Sequence, residues 1–172
     1  MSIAEVLLQD FDKEISNTRR TVERVPEGRN DFKCHDKSMP LGKLAQHCAT
    51  LPMFGYYILE DDSMDMAAPK RPHMPLDFTT AAAALQVLDE AAAKCRASLA
   101  VASDEHLSAR WRFSFGEHLI ANDKRSVCFR QMFFNHLVHH TAQLGVYLRL
   151  NDLPVPALYG PSADEQWTPP GK

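Results

Sequence analysis

The stretch "FFNHLVHHTAQLGVYLRLND", Phe133 to Asp152, carries the periodicity that decides the fold and an anomaly that points to function. On a helix turning about 100° per residue, Phe129, Phe133, His136, Leu137, His140, Leu144 and Tyr147 share one side. That side should be apolar throughout, yet two imidazoles stand in it. His136 and His140 are four residues apart, which places their Cβ atoms about 6 Å apart on adjacent turns.

Upstream, Ser2 and Glu5 form a capping-box pattern, and Ile3, Leu7, Phe11, Ile15, Thr18, Val22 and Val25 follow at helical steps, so a first helix ends before Pro26. A second starts near Pro40, with Leu41, Leu44, Ala45, Cys48, Leu51, Gly55 and Ile58 inward and Pro52 as an expected kink. His47 borders that inner face. A third runs from about Thr80 to Ser103, and a fourth, capped by Asn122 or Asp123, reaches Leu150. Between the last two, Trp111, Phe113 and Phe115 alternate with Arg112 and Ser114, as in a short extended segment or hairpin arm. The acidic, proline-rich stretch around residues 60–77 reads as a surface crossover or partial lid. The expected fold is all-α, a four-helix bundle, within one domain spanning residues 1–172 and ending in an irregular tail from about 151.

Composition narrows the function. The chain has 172 residues, 19 basic and 22 acidic side chains and a net charge of −3. That balance argues against a nucleic-acid or anionic-membrane partner, and Arg19-Arg20 and Lys124-Arg125 read as solvated faces. No apolar run is long enough to span a bilayer, and the acidic start lacks a signal-peptide pattern, so a cytoplasmic location is expected. Cys34, Cys48, Cys95 and Cys128 form no CxxC and read as reduced, small hydrophobes.

Two readings of the histidines stay open at this level. Hydrogen bonds to backbone or water could satisfy His136 and His140 inside the core, where an unpartnered polar group costs about 1–3 kcal/mol. Alternatively both rings converge on one ion, with His47 from the facing helix as third ligand. His139 sits on the flank, in an interface or supporting role. His35, His73, His106 and His118 fall in loops or element ends and read as surface residues, and Asn151 reads as a helix C-cap. Other centres fail on inspection. There is no pair of ExxH motifs, no HExxH and no GxSxG, and Cys48 beside His47 points away from it on a helix.

The segments "LGKLAQHCA" and "FNHLVHHTAQLGVYLRLNDLPVPALYGPSADE" resemble the DinB/YfiT-like family of metal-dependent proteins, most specifically from about Arg125 to Glu165. The resemblance implies a four-helix bundle in up-down-down-up order, a homodimer, and a three-histidine metal site mapping onto His47, His136 and His140. Zinc or nickel are the implied ions. The family commonly continues its paired histidines with Arg-Gly-Gln, whereas Thr141-Ala142-Gln143 follow His140 here; Gln143 is left to orient a ligand ring.

A cation on three neutral imidazoles keeps its charge and an open position, and can lower the pKa of water or a thiol. Two family branches, thiol-dependent transferases and a thiol-dependent isomerase, use such chemistry. The expectation is a metal-dependent enzyme that transfers a low-molecular-weight thiol to a small electrophile or hydrolyses a small substrate. The loops near Trp111 and Tyr159 would supply apolar walls, and no catalytic residue beyond the ligands is assigned. The alternative is a non-catalytic, metal-stabilised dimeric stress-response protein.

Overall fold

The computed structural model describes residues 1–72 and 77–166. Helix α1 (Ile3–Val22) opens with the expected capping box: Ser2 Oγ accepts from the Glu5 N–H, and Glu5 accepts from the Ser2 N–H at 2.6 Å. Helix α2 (Leu41–Glu60) follows Pro40 and contains Pro52. Strand β1 (Ser63–Asp65), helix α3 (Ala81–Val101), the short helix α4 (Asp104–Ser108) and the hairpin β2 (Arg110–Phe115) and β3 (His118–Lys124) come next. The last rod is built in three parts: α5 (Arg125–Cys128), a π-helical turn (Phe129–Phe134) and α6 (Asn135–Leu150). No helix among the described residues is long and apolar enough to cross a membrane.

The expected all-α four-helix bundle in up-down-down-up order is overturned by a three-stranded mixed sheet in the order β1-β2-β3. The chain is mainly helical but carries this sheet against the helices. Its cause is visible in β2, where Trp111 and Phe113 are buried and Arg110 and Arg112 exposed, a two-residue period no helix can accommodate. An exposed hairpin alone is marginal in water. Here the buried β2 side chains join the core cluster that holds Phe11, Phe129, Phe133 and Leu137. β3 pairs antiparallel with β2, so Asn122 and Asp123 lie in a strand and the rod starts after Lys124, which makes no side-chain cap. β1 pairs parallel with β2, Met64 opposite Phe113, within the stretch expected to be an unpaired crossover. Asp65 fastens this corner: its Oδ1 accepts from the Ala67 and Gly116 N–H groups at 2.9 and 2.8 Å. Those bonds hold its carboxyl below the usual range.

The helices close around two apolar clusters, with α1 packed on α3 and α6, and α2 on α3 and α6. Gly55 lets α2 approach the π turn. A Cβ there would stand 2.8 Å from Phe133 Cδ1 and 3.0 Å from Cys95 Sγ. Phe133 is fully buried and has nowhere to move. Gly55→Ala is therefore expected to destabilise the protein by about 1–3 kcal/mol, as overpacking does. The midpoint of urea unfolding reads this, and an unchanged midpoint would contradict the close approach.

Residues 153–166 form neither helix nor strand. They are strapped down by Glu165, which pairs with Arg20 of α1 and Arg24 in the turn that follows it, and by Asp164, which pairs with Arg149 of α6. Asn151 is the C-cap of α6, its Nδ2 donating to the Tyr147 carbonyl at 2.9 Å.

Candidate metal centre

Each of the three histidines named from the sequence arrives by a different local route. His47 lies in the second turn of α2, between the fully buried Ala45 and Cys48. His136 and His140 lie on successive turns of α6, just beyond the π turn. That turn is defined by the bond from the Asn135 N–H to the Arg130 carbonyl, five residues back. The extra residue changes the phase of everything downstream. Phe129, Phe133, Leu137, Leu144 and Tyr147 are buried as expected, but Phe134, Thr141 and Leu148 join them. His136 and His140 are only half-buried and stand at the edge of the apolar face, where the periodicity had placed them near its middle.

The three rings meet. His47 Nε2 and His136 Nε2 are 3.2 Å apart, and one ring nitrogen from each of His47, His136 and His140 lies within 4.8 Å of the others. Ring centroids are 5.0 Å apart for His47–His136, 4.6 Å for His47–His140 and 4.7 Å for His136–His140. Two nitrogens bound tetrahedrally to one zinc-sized ion would be separated by about 3.3 Å. The donor set thus fits a cation with little rearrangement of the first pair.

Proton placement points the same way. His140 Nδ1 donates to Gln143 Oε1 at 2.8 Å, so the neutral ring keeps its lone pair on Nε2. The backbone at Met132 raises the affinity of the His136 ring for a proton, and its Nε2 faces His47 Nε2 at 3.2 Å, where the neutral ring can present a second lone pair. The His47 N–H can serve one of these lone pairs and not both. A shared cation satisfies all three.

Burial keeps the cluster uncharged. It is the largest influence on all three rings, pushing His47 down to about 4 with help from His140 and His136, and lowering His136 and His140 against the opposing bonds to Met132 and Gln143. An unfolded histidine takes up its proton near 6.5. As pH falls from about 6.5 towards 4 the unfolded chain therefore binds protons that the folded, metal-free chain refuses, and stability falls. The metal-free protein is expected to show a thermal midpoint that declines across this window and is flat above it. His47→Ala should flatten the upper part of the decline, before the carboxylates titrate. A midpoint rising on acidification would contradict this.

The remaining sequence assignments divide. Cys48 is fully buried, and desolvation pushes its thiol up to about 12, so it is core and no nucleophile. His139 is exposed, with its ring 4.9 Å from that of His140. His35 and His118 are exposed, whereas His106 is half-buried and its Nε2 meets the Leu59 carbonyl at 2.8 Å. His73 lies outside the described residues. Trp111 is buried, stacked on Phe113 and edge-on to Phe54, and Tyr159 is exposed with its hydroxyl donating to Glu14 at 2.6 Å. Neither forms a wall beside the histidines.

The segment beside Trp111 does supply one, through Phe113, and the other walls come from α2, β1 and the π turn. A cavity of about 680 Å³ opens beside His47 and His136, bounded by Leu51, Phe54, Met64, Phe113 and Met132 among others. Phe113 was legible as part of a strand, but nothing local tied Met64 or Met132 to the site.

Taken together, these features define a mainly helical protein with three imidazoles converging between two helices at the end of an apolar cavity. The comparisons agree on the class. The DinB superfamily model matches residues 10–144, and the chain belongs to that superfamily. Its fold is similar to that of a DinB-like protein of Bacillus cereus (TM-score 0.65, 18% identity, covering 90% of this chain and 97% of that one). It is equally similar to a DinB-like protein of Bacillus subtilis (TM-score 0.65, 16% identity, covering 94% and 98%). No curated protein matches this chain.

Proposed function

We propose that this is a cytoplasmic, single-domain, homodimeric metal-dependent enzyme whose His47, His136 and His140 hold one divalent ion, zinc or nickel. The reaction is transfer of a low-molecular-weight thiol to a small electrophile, or hydrolysis of a small substrate. The observation that carries the reading is the convergence of three neutral imidazoles at the edge of the core, beside a cavity able to admit a second molecule. A purely structural ion would be better served by a closed four-ligand shell.

When bound, the ion supplies a positive charge and an open position that favours the deprotonated form of a thiol or water. The chain does the rest. Gln143 holds the His140 proton on Nδ1, and half-burial keeps the rings unprotonated at neutral pH. Leu51, Phe54 and Phe113 limit water around the reacting groups. Val146 and Leu150, exposed on α6, supply an apolar face for the proposed dimer.

The test is a turnover screen of the zinc- and nickel-loaded protein. It would pair several low-molecular-weight thiols with a chromogenic aryl halide, and include activated esters for the hydrolytic branch. Turnover is expected in a metal-loaded form and is expected to vanish on chelation and in His47→Ala. A protein that retains its ion and gains stability from it, yet turns over nothing, would replace this reading with the non-catalytic, metal-stabilised one.

A further inference from the structure

The cavity beside the histidines has a composition that selects its occupant. Its volume of about 680 Å³ lies in the range that encloses a drug-sized molecule. Phe54 and Phe113 form rigid apolar surface, while Met64, Met66 and Met132 add flexible thioethers that adapt to varied shapes. Among the described lining residues Arg71 alone carries a permanent charge, and that charge is already answered. Arg71 Nε and Nη2 donate to Asp61 Oδ2 and Oδ1 at 3.2 and 2.7 Å, a two-pronged pair, and its guanidinium carbon lies 5.4 Å from the Tyr57 ring centre. A guanidinium so engaged offers little to an incoming anion. The Thr50 hydroxyl is spent as well, donating to the His47 carbonyl at 3.1 Å. The Tyr57 hydroxyl remains, with the amides of Gln131 and Asn135 on the helical stretch that leads to His136, and all of these are uncharged.

We infer that this cavity binds an uncharged, predominantly apolar molecule, and that Asp61 sets this preference by cancelling the charge of Arg71. With the histidines unloaded, an anionic ligand would lose its hydration against methionine and phenylalanine without gaining a free cation in exchange. The inference rests on the proposed metal centre in one respect: the bound molecule is a substrate only if the three histidines carry the ion. The preference itself belongs to the walls.

The experiment is calorimetric titration of the full chain, stripped of metal by a chelator, with 1-alkanols from pentanol to nonanol and with alkanoates of matching length. Affinity for the alkanols is expected to rise about fourfold per methylene, the value of burying one such group, until the cavity is full. Each alkanoate is expected to bind more weakly than its alkanol. Met66 lines the cavity and is 43% exposed, so Met66→Asp keeps the fold, checked by circular dichroism, and should weaken the alkanols. Asp61→Asn should unmask Arg71 and shift the preference towards the alkanoates. A flat chain-length series, alkanoates bound as tightly as alkanols in the unaltered chain, or alkanol affinities untouched by Met66→Asp would each overturn the inference. An unmoved preference in Asp61→Asn would overturn the role of Asp61. All of these are read without metal, so failure of the protein to take up zinc or nickel would remove the centre and leave the chain-length result standing.

Discussion

His136→Ala is expected to leave a folded protein that no longer retains a divalent ion. Three-imidazole sites divide their binding energy among few ligands. Structural zinc sites are worth about 10–16 kcal/mol in total, so one of three protein ligands carries on the order of 3–5 kcal/mol. At about 1.4 kcal/mol per decade this is a loss of affinity on the order of a thousandfold. The side chain is half-buried at the edge of the core, so its truncation leaves no large internal void and the helices should survive. Elemental analysis of the dialysed variant beside the unaltered protein, together with the thermal midpoint with and without added zinc, reads the effect. The unaltered protein should be stabilised by the ion and the variant should not. Equal metal content in the two would remove the centre.

Inserting an alanine after Arg130 should have a comparable effect on metal uptake from a position outside the cluster. Arg130 is exposed and lies in the π turn, which already accommodates one residue more than an α-helix would over the same length. A second extra residue in a rod that otherwise runs as α-helix turns its two halves by about 100° relative to each other. Cys128 and Phe129 anchor the upstream half in the core, and Leu144 and Leu148 the downstream half in a second cluster. Both cannot keep their places, and His136 and His140 cannot keep facing His47. The expected result is near-native helical content by circular dichroism, lowered stability and no retained metal. Full metal retention by the insertion variant would show that the phase of the rod does not set the histidines' direction.

The parts of this structure that were legible in the sequence depend on local pattern. Ser2 and Glu5 announced α1 because a capping box is completed within four residues. His136 and His140 were found because a spacing of four on a helix is itself a geometry, and His47 because it borders a stripe that must face the interior. Gln143 entered as an orienting residue through the family resemblance, and the structure sets its Oε1 2.8 Å from His140 Nδ1. The misses depend on what the chain does far away. Trp111 and Phe113 displayed the alternation of a strand, but β1 has only three residues and each pairs with a residue 49 positions downstream, so no short window contains the sheet. Asn122 and Asp123 resembled caps because cap residues and polar edge-strand residues are the same types. The π turn has no local signature in "FRQMFF", because a bond to the fifth residue instead of the fourth reflects how Phe133 and Phe134 must both be buried. The wall from β1 was invisible for the same reason as the sheet, whereas Leu51 and Phe113 stood in patterns the sequence displayed.

The short strand β1 has a further consequence for how the molecule breathes. Three residue pairs, the bond from the Met66 amide to the Ser114 carbonyl and that from the Gly116 amide to Asp65 join this edge to the hairpin, while the helices beside it are held by an entire core. Local opening requires far less free energy than global unfolding where so few bonds must part. Met64 still packs on that core, so opening at this edge would free Met66 first, and the three imidazoles would keep their places on the rods that carry them.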